Sequence, residues 1–197
     1  LHAPRENFHY SALLDRPWRK AAIGSGNGVG DPYAQNLQTI YFSAGDAHYP
    51  ALGRLFRFML AVRNRLMRVD PSFGDNPERD RFWNACRIHQ YPRGGGFMVM
   101  HKDTHFPPII TSELGKPFCQ VSVLLSRKNV DFFKGGGVVV DRAGNKIDLE
   151  SEGGFGSLVL FDGRTFHGVE DVDLDQVIDF SRPDGRLAAF VSLYTVR

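Results

Sequence analysis

The chain has 197 residues, of which 42% are hydrophobic, a size and composition suited to one domain with a sizeable buried core. Its 24 basic and 22 acidic residues give a formal charge of only +2, which argues against nucleic acid or an anionic membrane as a partner. Two cysteines, Cys86 and Cys119, are too few for a disulfide scaffold and favour a reducing compartment, with the cytoplasm as the default assignment. No apolar run approaches the ~20 residues needed to span a bilayer.

The N-terminal part of the chain predicts one long helix over residues 52–69. Its arginines fall on one side, which we interpret as a solvated face and not as an RNA-binding surface. A shorter helix is expected over 78–84, and the first 45 residues are expected to be irregular and to pack around the core. The residues that recur at helical spacing and predict the buried face of the long helix are Leu52, Leu55, Phe56, Met59, Val62 and Leu66.

Short β-prone segments dominate the rest of the chain. Without long helices between them, they indicate a mainly β fold, a sandwich or barrel of the jelly-roll kind, with a tight hairpin at Gly144-Asn145. We expect a single domain over 1–197, in which 1–84 support a core formed by 85–197. The eight predicted strands cover 86–91, 97–103, 118–125, 138–141, 146–149, 157–161, 165–170 and 186–195.

A histidine and an aspartate one residue apart provide the first chemical signal. In an extended strand, residues i and i+2 point the same way, so His101 and Asp103 can converge on one metal ion. An H-x-D triplet alone is weak evidence, but this one ends a predicted strand, and His167 lies in a second strand downstream. Two imidazoles and one carboxylate leave the opposite coordination positions open, as a non-heme Fe(II) oxygenase requires.

An arginine on the inward face of the last strand provides the second signal. Arg186 alternates with Ala188, Phe190 and Ser192 and therefore shares a face with them. A cation inside an apolar barrel is costly unless it is paired, so Arg186 is expected to hold an anion.

Four motifs add a family resemblance over roughly 86–196. They are Tyr-Pro-x-Gly-Gly from Tyr91, a Gly-Gly step at 135–137, Gly-x-Leu-x-Leu-Phe from Gly156, and Gly-Arg-Leu-Ala-Ala from Gly185. Together with the H-x-D triplet, they resemble the Fe(II)/2-oxoglutarate-dependent oxygenase superfamily, most closely its prolyl-hydroxylase-like branch. The resemblance implies a double-stranded β-helix (jelly-roll, cupin-like) core with the N-terminal helices packed on one sheet.

The resemblance also implies roles for individual residues. His101, Asp103 and His167 would be the iron ligands and the catalytic centre, and Arg186 would bind the distal carboxylate of 2-oxoglutarate. Tyr91 would hydrogen-bond this cosubstrate, and Gln120 and Ser122 would line the same pocket.

Two features, the spacing of the basic residue after His167 and the identity of Asp103, show how closely the sequence follows the family pattern. Arg186 lies nineteen positions after His167, whereas many relatives have a basic residue about ten positions after, and Arg182 in the intervening insertion is an alternative anchor. We prefer Arg186, because Arg182 precedes a turn-prone Pro-Asp-Gly. Asp103 itself argues against halogenation, since related halogenases have a small residue there.

The function implied is a dioxygenase that uses Fe(II), 2-oxoglutarate and O2, with ascorbate as a candidate addition. It would hydroxylate an unactivated C–H bond of a small metabolite or amino acid and convert 2-oxoglutarate to succinate and CO2. The alternatives are a peptide or protein side-chain hydroxylase of the prolyl type, and a cupin-like metal protein that does not use 2-oxoglutarate. The oligomeric state stays open. The candidate substrate-facing elements are Arg87, Arg93, His105 and the loop 126–134, while His89 is interpreted as a satisfied core histidine in preference to a substrate contact.

Overall fold

A computed structural model describes residues 18–25, 34–42, 44, 47–103, 115 and 118–195. These residues form one sheet of ten strands in which every strand pairing is antiparallel, with three helices outside it. The sheet order is β7-β6-β9-β4-β2-β3-β10-β5-β8, and β1 pairs with β2 beside this path. The strands are β1 Trp18–Ser25, β2 Ala34–Phe42, β3 Phe82–Tyr91, β4 Gly96–His101, β5 Cys119–Leu124, β6 Gly136–Val140, β7 Lys146–Asp148, β8 Leu158–Asp162, β9 His167–Val172 and β10 Arg186–Thr195.

Contacts between strands that are distant in this order show that the sheet is curled. Gln120 on β5 hydrogen-bonds Asp103, which directly follows β4. Arg186 on β10 reaches Gly137 on β6, close enough that a Cβ at that glycine would lie 2.4 Å from the arginine Nη2. The two halves of the sheet therefore enclose an interior, and the fold is mainly β as predicted.

The long helix α1 spans Pro50–Met67 and packs against β5 and β10. Its buried face includes Phe56, Met59 and Met67, which confirms the predicted helix within two residues at each end. Leu66, predicted to be buried, is 46% exposed, and Arg63 is buried in its place. The guanidinium of Arg63 is tolerated there because Nη2 donates hydrogen bonds to the side-chain oxygens of Asn64 and Asn84.

Two predictions for the N-terminal half are wrong. The first 45 residues are not irregular throughout, since β1 and β2 belong to the sheet and β2 lies in its middle, between β4 and β3. The helix expected over 78–84 is a single turn, α2 (Pro77–Asp80). It stops because Arg81 takes a left-handed conformation with φ of 61°, and β3 starts at Phe82. The third helix is the short α3, Leu149–Glu152.

The strands predicted in the C-terminal half are present with shifts of a few residues at their ends. The hairpin at Gly144-Asn145 joins β6 to β7, and Gly144 has a φ of 90° that favours glycine. No helix in the described part of the chain is both long and apolar enough to cross a bilayer.

Two phenylalanines of α1 provide a matched test of which helix face is buried. Phe56 is 0% exposed and Phe58 is 54% exposed. Phe56→Ala should lower the free energy of unfolding by ~3–5 kcal/mol, because it leaves a cavity in the core. Phe58→Ala should change it by less than ~1 kcal/mol. Urea denaturation followed by circular dichroism measures both, and equal losses would contradict the assigned face.

Candidate metal centre

Three potential metal ligands meet at the ends of β4 and β9. His101 is the last residue of β4, His167 is the first of β9, and their Cα atoms are directly paired across the two strands. Asp103 follows two residues after His101, where its backbone N–H donates to the carbonyl of Gly163. The strand pairing positions the two imidazoles, and the turn after β8 positions the carboxylate.

The ligand atoms of these residues are close enough to share one ion. One ligand atom from each of His101, Asp103 and His167 lies within 4.8 Å of the others, and in the described residues this is the group that could hold a metal. Each histidine Nε2 lies 3.9 Å from one carboxylate oxygen of Asp103. The two imidazole rings have centroids 4.3 Å apart.

The backbone orients both imidazoles in the same way. Nδ1 of His101 is 2.8 Å from the carbonyl oxygen of Val99, and Nδ1 of His167 is 2.8 Å from that of Thr165. A carbonyl only accepts, so the proton of each neutral ring is on Nδ1 and the lone pair of Nε2 faces the centre. Burial, followed by the nearby His167, lowers the pKa of His101 and favours its neutral form.

The donor set fits a divalent first-row metal such as iron. Two imidazole nitrogens and one carboxylate, all contributed from one side, match the facial arrangement that leaves other positions open. Gln120 supports it, because its Nε2 donates a 2.7 Å hydrogen bond to Asp103 Oδ2 and fixes the carboxylate. The other amide atom, Oε1 of Gln120, is buried without a partner, and Ser122 lies on the same strand face with 3% exposure.

Arg186 is buried in the interior, as its strand parity predicts. Its side chain is 2% exposed and its Nε donates to Oε1 of Glu150 at 2.6 Å. The second carboxylate oxygen of Glu150 accepts from the N–H of Gly137 at 2.7 Å. The guanidinium also lies 5.3 Å from the ring centroid of Tyr91, and its Nη1 is buried without a partner.

Glu150 is the residue that sequence reasoning missed. It lies on the one-turn helix α3, between the capping Asp148 and the exposed Glu152, so nothing in the sequence separates it from surface acids. The expectation that Arg186 needs an anion is met inside the protein by this carboxylate. The competing candidate, Arg182, is 63% exposed and pairs with Asp184 at 2.9 Å, outside the interior.

A second cation, Arg87, is half-buried on the inner face of β3. Its Nη2 donates to Ser192 Oγ at 2.5 Å, its guanidinium lies 5.4 Å from the ring centroid of Tyr194, and its Nε is buried without a partner. The next inward residue on β3 is His89, whose Nδ1 is 3.3 Å from the hydroxyl of Tyr91 while its Nε2 has no partner. His89 is therefore only partly satisfied, contrary to its interpretation as a satisfied core histidine.

Arg93 and His105 are two further residues that were predicted to face the substrate. Arg93 donates to Asp173 Oδ2 at 2.6 Å and stacks on Phe133, so it is already paired. His105 lies outside the described residues.

The comparisons with known proteins give a similarity of fold. No protein-family model and no curated protein matches the sequence. Among solved structures, the chain is similar to a prolyl-4-hydroxylase from Pseudomonas putida, with a TM-score of 0.52 and 17% sequence identity. The match covers 83% of this chain and 74% of the hydroxylase chain. The His101, Asp103 and His167 cluster is the separate observation that, with this fold, suggests an oxygenase.

The buried state of His89 predicts a dependence of stability on pH. Burial, followed by the charges of Arg87 and Arg186, lowers the pKa of His89 well below the usual value. Below pH ~6.5 the unfolded chain binds a proton at His89 and the folded protein does not. The free energy of unfolding is therefore highest above that pH and decreases as the pH falls further, by at most ~1.4 kcal/mol per pH unit for this group.

Urea denaturation of the metal-free protein between pH 7.5 and 5.5 measures this effect. His89→Gln should reduce the slope of stability against pH. An unchanged slope in His89→Gln would contradict the assignment.

Proposed function

We propose that the protein is an Fe(II)- and 2-oxoglutarate-dependent dioxygenase with a double-stranded β-helix core. The observation that carries the proposal is the convergence of His101, Asp103 and His167, with both Nε2 atoms directed at one carboxylate. The similarity in fold to a prolyl-4-hydroxylase supports it. His101, Asp103 and His167 would hold the iron, which with 2-oxoglutarate and O2 would supply the chemistry that hydroxylates an unactivated C–H bond.

Arg186 and Tyr91 are proposed to bind the distal carboxylate of 2-oxoglutarate. Gly137 contacts the arginine and lies two residues from Val139, the cross-strand partner of His167. Two residues of a strand span ~6.6 Å, which suits a five-carbon dicarboxylate held between the metal and the guanidinium. The unpartnered Nη1 of Arg186 is the donor left for it, while Glu150 holds the opposite edge of the guanidinium.

The remaining pocket residues have orienting and shielding roles in this proposal. Gln120 holds Asp103 in its ligand orientation, and its free Oε1 faces the space beside the metal centre, as does Ser122 on the same strand face. Phe161, whose ring centroid is 4.9 Å from that of His167, covers one side of the imidazole and excludes water.

A small metabolite or free amino acid is the proposed substrate class, with a peptide or protein side chain as the alternative. We also propose that neither nucleic acid nor a membrane is a partner, because the formal charge is only +2. The proposed products from the cosubstrate are succinate and CO2, with ascorbate as a candidate addition to the assay.

One observation favours a second candidate, a cupin-like metal protein that does not use 2-oxoglutarate. The ion pair with Glu150 already compensates Arg186, so this arginine does not by itself demand an external dicarboxylate. The two candidates differ in whether metal loading creates a site for 2-oxoglutarate.

Succinate formation tests the proposed activity directly. The protein with Fe(II), 2-oxoglutarate and O2 should release succinate, increasingly so with a library of metabolites, and His101→Ala should lose this activity by at least ~100-fold because a ligand is removed. His48→Ala, which removes an exposed histidine, should match the wild type. A protein that binds the metal but neither binds 2-oxoglutarate nor requires it for turnover would favour the cupin-like alternative.

The anchor is tested by comparing two arginines. Arg186→Met should raise the dissociation constant of 2-oxoglutarate by ~10–100-fold, the loss expected for charge-assisted hydrogen bonds of ~1.5–3 kcal/mol. Arg182→Met should change it by less than ~2-fold, because the side chain is a surface ion-pair partner. Calorimetry on protein loaded with Mn(II) measures both constants without turnover, and a larger effect of Arg182→Met would reverse the assignment.

A further inference from the structure

The inner face of the sheet contains two arginines, the buried Arg186 and the half-buried Arg87, that are compensated differently. Arg186 has an internal carboxylate, Glu150, at 2.6 Å. Arg87 has no carboxylate in its contacts within the described part of the chain, where its partners are the hydroxyl of Ser192, the phenol of Tyr41 and the ring of Tyr194. A cation removed from water without a counter-ion is costly, and its uncompensated charge favours binding of an anion.

Arg87 lies deep in the protein but is not sealed from solvent. Burial lowers its pKa, an effect that the phenols of Tyr194 and Tyr41 more than offset. Part of its surface is nevertheless accessible to solvent, and the same holds for His89. A small ligand that enters from solvent can therefore reach both side chains.

A chain of contacts links Arg87 to the metal centre. Arg87 donates to Ser192, and the pairing of Val191 with Val121 makes Gln120 the neighbour of Ser192 on the adjacent strand. Gln120 in turn donates to Asp103. One cross-strand step of ~5 Å, between two hydrogen bonds, thus separates the guanidinium from the carboxylate of Asp103.

Three polar atoms without partners belong to residues of this part of the inner face. Nε of Arg87, Nε2 of His89 and Oε1 of Gln120 are all buried and unpaired. Arg87 and His89 alternate on one strand face, so a bound carboxylate can accept from both. The ring of Phe190, 4.6 Å from that of His89, provides an apolar wall beside them.

The geometry points to Arg87 as the residue that binds a carboxylate of the substrate, with the rest of the substrate directed at the metal centre. This inference rests on the proposed function and sharpens its substrate class: a small carboxylic acid, such as a free amino acid, and not an internal residue of a peptide, which has no carboxylate at its backbone. Arg87 would thus determine specificity, while Arg186 binds the cosubstrate.

Paired acids and amides test the inference by binding alone. Protein loaded with Mn(II) and 2-oxoglutarate is titrated with free L-amino acids and with their carboxamides, following thermal stabilisation and the fluorescence of Trp83, whose ring centroid is 5.2 Å from that of Tyr194. At least one acid should bind ~10-fold tighter than its amide, the difference expected for a charge-assisted hydrogen bond. Arg87→Gln should abolish this preference, Arg87→Lys should restore part of it, and Arg142→Gln, at an exposed turn position, should retain it.

A second variant keeps the test valid if Arg87→Gln folds poorly. Ser192→Asp introduces a carboxylate at the position that Arg87 already contacts, and so gives Arg87 the internal partner that Arg186 has in Glu150. It should preserve thermal stability and abolish the preference for acids. Wild-type preference in Ser192→Asp would overturn the inference.

Three other results would overturn the inference as well. They are an equal affinity of wild type for acids and amides, a loss of 2-oxoglutarate binding in Arg87→Gln, which would make Arg87 part of the cosubstrate site, and stronger binding of end-capped peptides than of any free acid. The same titrations without Mn(II) and 2-oxoglutarate separate the two proposals. Failure of 2-oxoglutarate to bind, with the preference for acids retained, contradicts the proposed dioxygenase and leaves the anion site in place.

Discussion

The cost of placing charge inside a curled sheet governs the interior of this protein. Each charged group on the inner face loses its hydrating water on folding and needs other partners, and these partners differ from group to group. Asp103 receives an amide N–H from Gln120 and faces two imidazole lone pairs, an arrangement that a cation would complete. Arg186 receives a carboxylate, whereas Arg87 receives only hydroxyl groups and an aromatic ring. The charge of Arg186 is therefore balanced inside the protein although its Nη1 keeps a free hydrogen-bond position, whereas Asp103 and Arg87 carry charges that a ligand would balance.

The strand period and the cost of burying charge also determine which parts of the site could be predicted from the sequence. The two-residue period of a strand correctly predicted that His101 and Asp103 converge, and that Arg186 points inward with Ala188. It could not identify the partner of Arg186, because that partner lies 36 residues away on a helical turn. The cost of desolvation thus indicated which arginine is buried and left its counter-ion undetermined. The choice between an internal and an external anion depends on tertiary proximity.

In the fold, the sequence also failed to predict the features that depend on contacts between distant residues. The helix α1 was predictable because its period is local, yet its exact buried face was not, since Arg63 is stabilised by Asn84, a residue 21 positions away. The strand β2 was missed because its apolar and polar residues do not alternate cleanly: Leu37, Gln38 and Thr39 are all buried. Gln38 and Thr39 are accommodated between β1 on one side and β3 on the other. Local patterns therefore gave the elements of the C-terminal half and failed where the N-terminal chain enters the sheet.

The central position of β2 has a consequence for how the protein folds. The middle of the sheet is β2, β3 and β10, so strands near the two ends of the described chain flank β3, with β10 pairing along all ten of its residues. The pairs of β10 with β3 join residues 95 (Arg186 with Tyr91) to 113 (Thr195 with Phe82) positions apart, so they close only after most of the chain has been made. A topology of such high contact order is expected to fold slowly and to expose unpaired strand edges while it does so. The metal centre is formed by β4 and β9, and β4 pairs with β2, so we expect this centre to assemble after the middle of the sheet has formed.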